Sequence, residues 1–442
     1  MKTILSLLIF VVLAIWVGQI YFGKKKLRMV EVGKKEYYLL SPNMYFVIFT
    51  VCTAPIFLGS LSLLKYGLWF AVMLALLFVG KVRVKFEAMT VMYSIFFLWL
   101  CYTMTYTTVP RDGAMMLIKF SLPMLFLWLG YSGLSNEKDL IIFLKVVNIA
   151  ACIYCGFMGG FAWIFIRPLY LFSIGIFSVY AAFADFLTAV FIVPILLYWI
   201  TKEKKYIFCA LWMVLSTVLQ SVRTGMGGML LVFCIALLLK NKAKAIPGLA
   251  VAGAMFLSVV LFVPSVNEKF FGDDAGTVSA TDIVQGDAMS LENIETSGRE
   301  SLWEFVLDNC YYGNESFGGG LGTSGRFMKN YGEANDTLDV MHNDYLQILC
   351  DAGIVGIVLI ALFYLSVVLK VTSNVALRRS STLVKLTGIM ALSSLAGIGF
   401  SMYFDNVVSN SMQSMVMPYI YLGFFLKALD LEKRSSNEVA SY

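Results

Sequence analysis

The sequence predicts an all-α, polytopic membrane bundle, and three observations predict it. Hydrophobic residues make up 59% of the chain against 14% charged, with a mean hydropathy of +0.79. So few charges cannot cover the surface of a water-soluble protein of this size. Apolar stretches of about 18 residues or more recur from end to end, each long enough to cross hydrocarbon as a helix. The basic residues stand in short clusters beside those stretches. They belong to membrane-flanking loops, and the net charge of +6 gives no reason to expect nucleic acid as a partner.

The spans follow in chain order. The first, at residues 4–22, has a single Lys2 before it and no small-residue cleavage site after it, so it reads as a retained span and not a removed signal peptide. Five more are expected at 42–60, 62–80, 86–109, 114–134 and 140–160. Four come next, at 184–201, 206–222, 226–240 and 246–264, and three close the chain at 345–369, 386–404 and 410–427. Residues 161–183 are also apolar, but counting them as a span would reverse the sidedness of everything upstream. Arg167-Pro168 and the glycines Gly156, Gly159 and Gly160 argue for a broken or re-entrant element there. About 12–14 spans are therefore expected.

Sidedness comes from the cations. Basic clusters occur at Lys24/Lys25/Lys26/Arg28/Lys34/Lys35, Lys81/Arg83/Lys85, Lys202/Lys204/Lys205, Lys240/Lys242/Lys244, Lys370/Arg378/Arg379/Lys385 and Lys427/Lys433/Arg434. All fall on one side, the cytoplasmic one, if the N-terminus is outside, the C-terminus is cytoplasmic and the spans number thirteen. Residues 265–344 are then one large extracytoplasmic loop, with fifteen Asp/Glu against four Lys/Arg, as suits a translocated segment. Three units result: an N-terminal transmembrane bundle over 1–264, the loop over 265–344, and C-terminal spans with a short cytoplasmic tail over 345–442. Within the loop, irregular chain is expected over 272–286. A helix should follow from Ser297 to about Asn309, with Leu302, Phe305, Val306 and Asn309 on one face. Gly318-Gly-Gly-Leu-Gly322 is too glycine-rich to be helical.

Few residues can carry chemistry, which makes each informative. His342 is the only histidine, and it stands where the loop re-enters apolar sequence. Imidazole titrates near physiological pH, so a histidine at a membrane boundary suits a general base; an ordinary interfacial histidine is the competing explanation. Asp344 is expected to cap the following span, with Gln347 completing a capping box. The positive end of that helix favours a neutral ring that can accept a proton. Gly353 and Gly356 should let the helix approach a neighbour closely. Arg223 lies in a tight connection between two spans, and a guanidinium there suits phosphate oxygens, or a lipid headgroup if it merely snorkels. Arg299 opens the expected loop helix, with Ser297 or Thr296 as its cap, and that end favours anions; an ion pair with Glu295, Glu300 or Glu304 is the structural alternative. Arg326 and Lys329 follow the glycine run and are weaker candidates on the same grounds.

Several chemistries are excluded. One histidine removes HExxH and every two-histidine zinc site, and no Cys/His cluster replaces it. There is no G-x-S-x-G elbow. Asp336, Asp339 and Asp344 match no EF-hand spacing, and neither a metal nor a cofactor is expected. The glycine run lacks the Gly-Lys-Ser/Thr of a nucleotide loop; close packing over a substrate groove is the expected use of its glycines. Eight cysteines imply no disulfide framework, and Cys152-x-x-Cys155 falls inside a span without the βαβ context of a redox motif.

The pattern His342-Asn343, nine residues, then Gly353-x-x-Gly356 resembles the bacterial O-antigen ligase and Wzy-type polysaccharide polymerase superfamily. Ser297-Gly-Arg299-x-x-x-Trp303 with the Gly318–Gly322 run is similar to that family's loop segment, and Arg223 matches its arginine between two spans. The resemblance covers about residues 180–425. It implies a metal-independent, inverting glycosyltransferase of GT-C-like architecture in the bacterial plasma membrane. The implied donor is a glycan on undecaprenyl pyrophosphate. His342 would be the base and Arg223, Arg299 and Arg326 the pyrophosphate ligands, supported by Trp303, Asn343, Asp344, Gly353 and Gly356. The acceptor would be another lipid-linked repeat for a polymerase, or lipid A core for a ligase. Chain-length regulator and flippase proteins are further partners in such systems. Ile357-Val-Leu359 replaces the Thr-x-Trp frequent in ligases, which favours polymerase. A lipid-glycan flippase is the alternative of another class, but no internal repeat or mid-membrane charge pattern supports it.

Overall fold

The computed structural model describes residues 30–32, 36–38, 40–56, 62–158, 180–271, 299–335, 339–410 and 412–440. A short antiparallel hairpin, β1 (Val30–Val32) and β2 (Glu36–Tyr38), pairs Val30 with Tyr38. Everything regular after it is helical. The first helices are α1 (Pro42–Thr53), α2 (Ser62–Phe78), α3 (Ala88–Thr103), α4 (Pro110–Gly133) and α5 (Glu137–Met158). After the interruption come α6 (Tyr180–Val190), α7 (Ile192–Thr201), α8 (Lys205–Leu219), α9 (Arg223–Asn241), α10 (Ile246–Phe262) and α11 (Pro264–Phe271). The last third holds α12 (Arg299–Val306), α13 (Thr323–Asn335), α14 (Asp344–Thr372), α15 (Thr382–Phe404), α16 (Val407–Asn410) and α17 (Met412–Ala440).

Among the described residues, seven helical runs are long and apolar enough to cross a membrane, and four shorter apolar helices accompany them. One of the seven, Arg223–Phe262, holds two of the expected spans. The chain turns back at Lys242, at φ 52° and ψ −134°, and Leu237 of α9 then lies against Gly248 of α10. The expected span at 4–22, the irregular chain at 272–286, the caps Thr296 and Ser297, and most of the element at 161–183 lie outside the described residues.

Close backbone contact, not charge, joins the central helices. A Cβ on Gly130 would stand 2.3 Å from the Ile420 carbonyl oxygen, and one on Gly423 would stand 2.1 Å from that of Leu127, so α4 and α17 touch main chain to main chain. In lipid, where apolar burial gives no drive between helices, small residues that permit this approach supply the packing. Gly228 and Gly397 join α9 to α15 in the same way. Gly227 faces Phe400 while Val232 faces Gly397, so these two helices are antiparallel. The Arg223 end of α9 therefore stands beside the Phe404 end of α15.

The two ends of the bundle differ in charge. At one end Lys85 pairs with Asp430 at 3.0 Å and Lys370 with Glu87 at 3.1 Å, which gathers three of the basic clusters. From there α3 runs 16 residues, about 24 Å, to the other end, where the Tyr106 hydroxyl donates to the Phe317 carbonyl at 2.7 Å. The described part of the hydrophilic segment around Phe317 thus lies at the end opposite those clusters.

Candidate functional site

The hydrophilic end carries the site, and its centre is the turn into α14. Asn343 is extended (φ −160°, ψ 105°) and its side-chain oxygen accepts the Leu346 N–H at 3.0 Å. The cap is therefore Asn343 and not the expected Asp344. Asp344 lies one residue inside the helix, is buried, and accepts the Val408 N–H at 3.0 Å, fastening α16 to α14. The expected capping box with Gln347 does not form, because the amide oxygen one position earlier already meets the free helical N–H.

His342 has φ 53°, a left-handed conformation that histidine tolerates better than most residues. The turn brings its ring against the end of α15, where Nδ1 lies 3.3 Å from Asp405 Oδ1. The carboxylate is itself held, accepting the Asn406 N–H at 2.7 Å. The histidine side chain is 22% exposed and that of Asp405 only 10%, so the ring is reachable and its partner is not. An Nδ1–H that donates to Asp405 leaves Nε2 as the proton acceptor.

Helix α12 packs over this pair. The Trp303 indole N–H donates to the Met341 carbonyl at 2.9 Å, next to His342, and the indole meets Tyr403 edge-on at 5.5 Å. Arg299, at the start of the helix, donates through Nη1 to the Phe404 carbonyl. Burial lowers the pKa of Arg299 from its ordinary value and the Asp405 charge opposes that shift; a guanidinium stays charged nonetheless. Arg299, Asp405 and His342 thus meet at one place. The expected helix face is present in Val306, which is buried, whereas Asn309 lies exposed in the π-helical turn Leu307–Tyr311 that ends α12. Arg223 opens α9, donates to the Lys269 carbonyl of α11 and stacks over Phe270, with 5.8 Å from guanidinium carbon to ring centroid.

The glycines have a different role from the one expected. Gly353 is not helical (φ 67°, ψ −172°) and breaks α14 into two parts. The break frees backbone groups, and the glycine-rich loop takes them up. Gly319 and Gly320 donate to the Cys350 and Asp351 carbonyls at 2.8 and 3.0 Å, and Ile354 donates to the Glu315 carbonyl at 2.8 Å. The Trp99 indole takes the Ala352 carbonyl at 2.9 Å. The neighbour that Gly353 admits is this loop and not another helix, since a Cβ there would stand 2.3 Å from the Ser316 carbonyl oxygen. The loop covers the helix break, and its Gly322 also lines the cavity beside the histidine. Gly356 has a lesser part, leaving room beside Trp99. The buried Asp351 carboxylate finishes the clamp by accepting the N–H groups of Gly322 (2.8 Å) and Ser324 (2.9 Å) at the start of α13.

Arg326 is placed apart from Arg299. It pairs with Asp112 of α4, Nε to Oδ2 at 2.6 Å, and lines a cavity of about 210 Å³ together with Lys119, Lys329, Asp339, Gln347 and Asn406. The cavity wall also includes Met341, so it adjoins the His342–Asp405 pair. Among the described residues no group of three His, Cys, Asp or Glu side chains is arranged to hold a metal ion.

Against known families, residues 208–361 match the one described as O-antigen ligase. That stretch is similar to the O-antigen ligase family. No curated protein matches the chain. The matched segment contains Arg223, Arg299, Trp303, Arg326, His342 and Gly353. Asp405 lies beyond it, and sequence reasoning missed this residue. The available signal was a single acid between Phe404 and Asn406 at the end of a span whose sidedness matches that of His342. Chemically, the matched segment and the end of α15 together assemble a proton acceptor with a buried carboxylate behind it and a guanidinium beside it. That set can deprotonate a hydroxyl and balance negative charge on a leaving group.

Proposed function

We infer that the chain is a multi-pass membrane protein with a glycan-processing domain of the O-antigen ligase and polymerase type. We propose that it is an inverting, metal-independent glycosyltransferase that joins undecaprenyl-pyrophosphate-linked oligosaccharide repeats at the outer face of the plasma membrane. The observation that carries this is the contact of His342 Nδ1 with Asp405 Oδ1 at 3.3 Å, beneath Arg299. His342 Nε2 takes the proton of an acceptor-sugar hydroxyl as that oxygen attacks the donor's anomeric carbon. The bond from that carbon to the pyrophosphate oxygen breaks, the configuration inverts, and the lipid pyrophosphate leaves as an anion. Asp405 orients the imidazole and stabilises the imidazolium that forms. Arg299 and Arg223 face the developing pyrophosphate charge. Asn343 and Asp344 fix the histidine's turn, Trp303 holds the carbonyl before it, and Arg326 acts from the adjoining cavity.

A ligase that transfers the finished glycan to lipid A core is the second reading, favoured by the description of the matched family; the absent Thr-x-Trp after Gly356 favours polymerisation. Cells lacking the gene and complemented with wild type or His342→Ala separate the possibilities on a glycan gel. Restoration of a multi-repeat ladder by wild type, with a single core-linked repeat in the variant, is expected. Long glycan retained on the lipid carrier in the deletion would make the protein a ligase. A variant that inserts normally and yields the wild-type ladder would refute the transferase mechanism.

A further inference from the structure

Besides Arg326, the cavity beside the dyad holds polar groups that the mechanism above does not use. Its wall from α4 is one helical face, Asp112, Met115, Met116 and Lys119, and α13 supplies Gly325, Arg326 and Lys329 opposite. Gln347 and Asn406 line it as well and are only 6% and 2% exposed. Neither carboxamide makes a side-chain hydrogen bond among the described residues, and the polar atoms of both keep some access to the cavity. A Cβ on Gly325 would come within 3.2 Å of Gln347 Nε2, so the glycine leaves that amide clear. Lys119 donates to the Ser409 carbonyl at 3.0 Å, and no carboxylate among the described residues lies in ion-pair range of it. Arg326, by contrast, is neutralised by Asp112 at 2.5 Å. The cavity thus presents two amides free to bond a ligand and one cation with no carboxylate in contact, the buried Asp344 acting on it from farther away. Its volume of about 210 Å³ is below the roughly 300–1,000 Å³ of pockets for drug-sized ligands, which suits one sugar ring and not a chain.

We infer that this cavity is the acceptor subsite and takes an acidic monosaccharide unit, its ring hydroxyls bonded by Gln347 and Asn406 and its carboxylate or phosphate held by Lys119. Each amide offers a donor pair and an acceptor, which matches the mixed character of sugar hydroxyls. The position follows as well, since Met341 precedes the histidine and Asn406 follows its aspartate partner. A ring bound here presents a neighbouring hydroxyl toward the base. This assignment rests on the transferase reading for its role, but its binding test does not require transfer.

The test uses the full-length protein in detergent micelles, titrated by saturation-transfer NMR with methyl β-glucuronide, glucose 6-phosphate and methyl β-glucoside. At least one charged sugar should bind more tightly than the neutral one, and which of the two does so identifies carboxylate or phosphate. Lys119→Gln should weaken the charged sugar about tenfold or more and leave the glucoside unchanged, while Lys119→Arg keeps the preference. Gln347→Leu should weaken all three. His342→Ala should bind as wild type does. Thermal midpoints establish folding of each variant, and Lys119→Met carries the comparison if Lys119→Gln does not fold. Equal binding of charged and neutral sugars, or affinities untouched by Gln347→Leu, would mean a merely hydrated cavity. Loss of transfer in His342→Ala without sugar binding in wild type would remove the subsite and leave the transferase reading standing. Lys119-dependent binding with full transfer in His342→Ala would do the reverse.

Discussion

Asp405→Asn is the sharpest probe of the dyad, because it removes a charge and almost no volume. When His342 takes a proton, the imidazolium faces a carboxylate whose oxygen lies 3.3 Å away. At that separation Coulomb attraction is about 1 kcal/mol in bulk water and about 5 kcal/mol at the effective dielectric of a partly buried site. The Asp405 side chain is 10% exposed and the histidine 22%, so the larger figure is screened but not abolished. Loss of a few kcal/mol from the transition state alone lowers turnover on the order of 10²- to 10³-fold. The asparagine can also turn its amide nitrogen to the ring, which selects the wrong tautomer and adds to the loss. The assay is transfer by the purified full-length protein from a synthetic polyprenyl-diphosphate glycan, with kcat and donor KM measured separately. The expected result is a fall in kcat with KM nearly unchanged, and partial recovery in Asp405→Glu. Turnover within about twofold of wild type would refute the argument, since the smallest estimate here is already near tenfold. A raised KM with unchanged kcat would show that Asp405 acts through Arg299 on the donor instead.

Two further outcomes follow from the loop. Gly353→Ala must place a Cβ 2.3 Å from the Ser316 carbonyl oxygen at a backbone φ of 67°, so it should cost roughly 2–4 kcal/mol; an unchanged thermal midpoint in detergent would contradict the clamp. Burial pushes the Cys310 thiol up from 9.0 to about 11, and the thiolate is the reactive form. Its alkylation near neutral pH should therefore be about a hundredfold slower than that of an ordinary thiol and rise about tenfold per pH unit; mass-spectrometric rates equal to those of a free peptide thiol would overturn this.

Much of the architecture was legible because hydrocarbon imposes length and composition on every span, and the helices at 110–133, 137–158, 382–404 and others lie where apolar runs stand. The turn at Lys242 was legible in the same way, through a basic cluster between two apolar runs. Asn343 and Asp344 are both competent caps, and only the tertiary demand of Val408 for a carboxylate decides between them. Gly353-x-x-Gly356 has the spacing of a helix-packing motif, yet its first glycine breaks the helix, because the partner that needs the space is a loop 37 residues upstream at Ser316. Through-space pairing of loop amides with helix carbonyls leaves no period in the chain. Asp405 was missed for a related reason: 63 residues separate it from His342, and nothing local says which span end the histidine will face.

The exchange of hydrogen bonds between the glycine loop and the broken helix also sets an order of assembly. Residues 315–322 leave the ribosome before 350–355, so the amides of Gly319 and Gly320 wait for the Cys350 and Asp351 carbonyls that will receive them. The helix start cannot be fixed without the loop, and α13 cannot be capped until Asp351 arrives. Because α14 carries His342 at its entrance, the base is aligned only when the last third of the chain has docked. A truncated or half-inserted product therefore lacks the His342–Asp405 contact altogether.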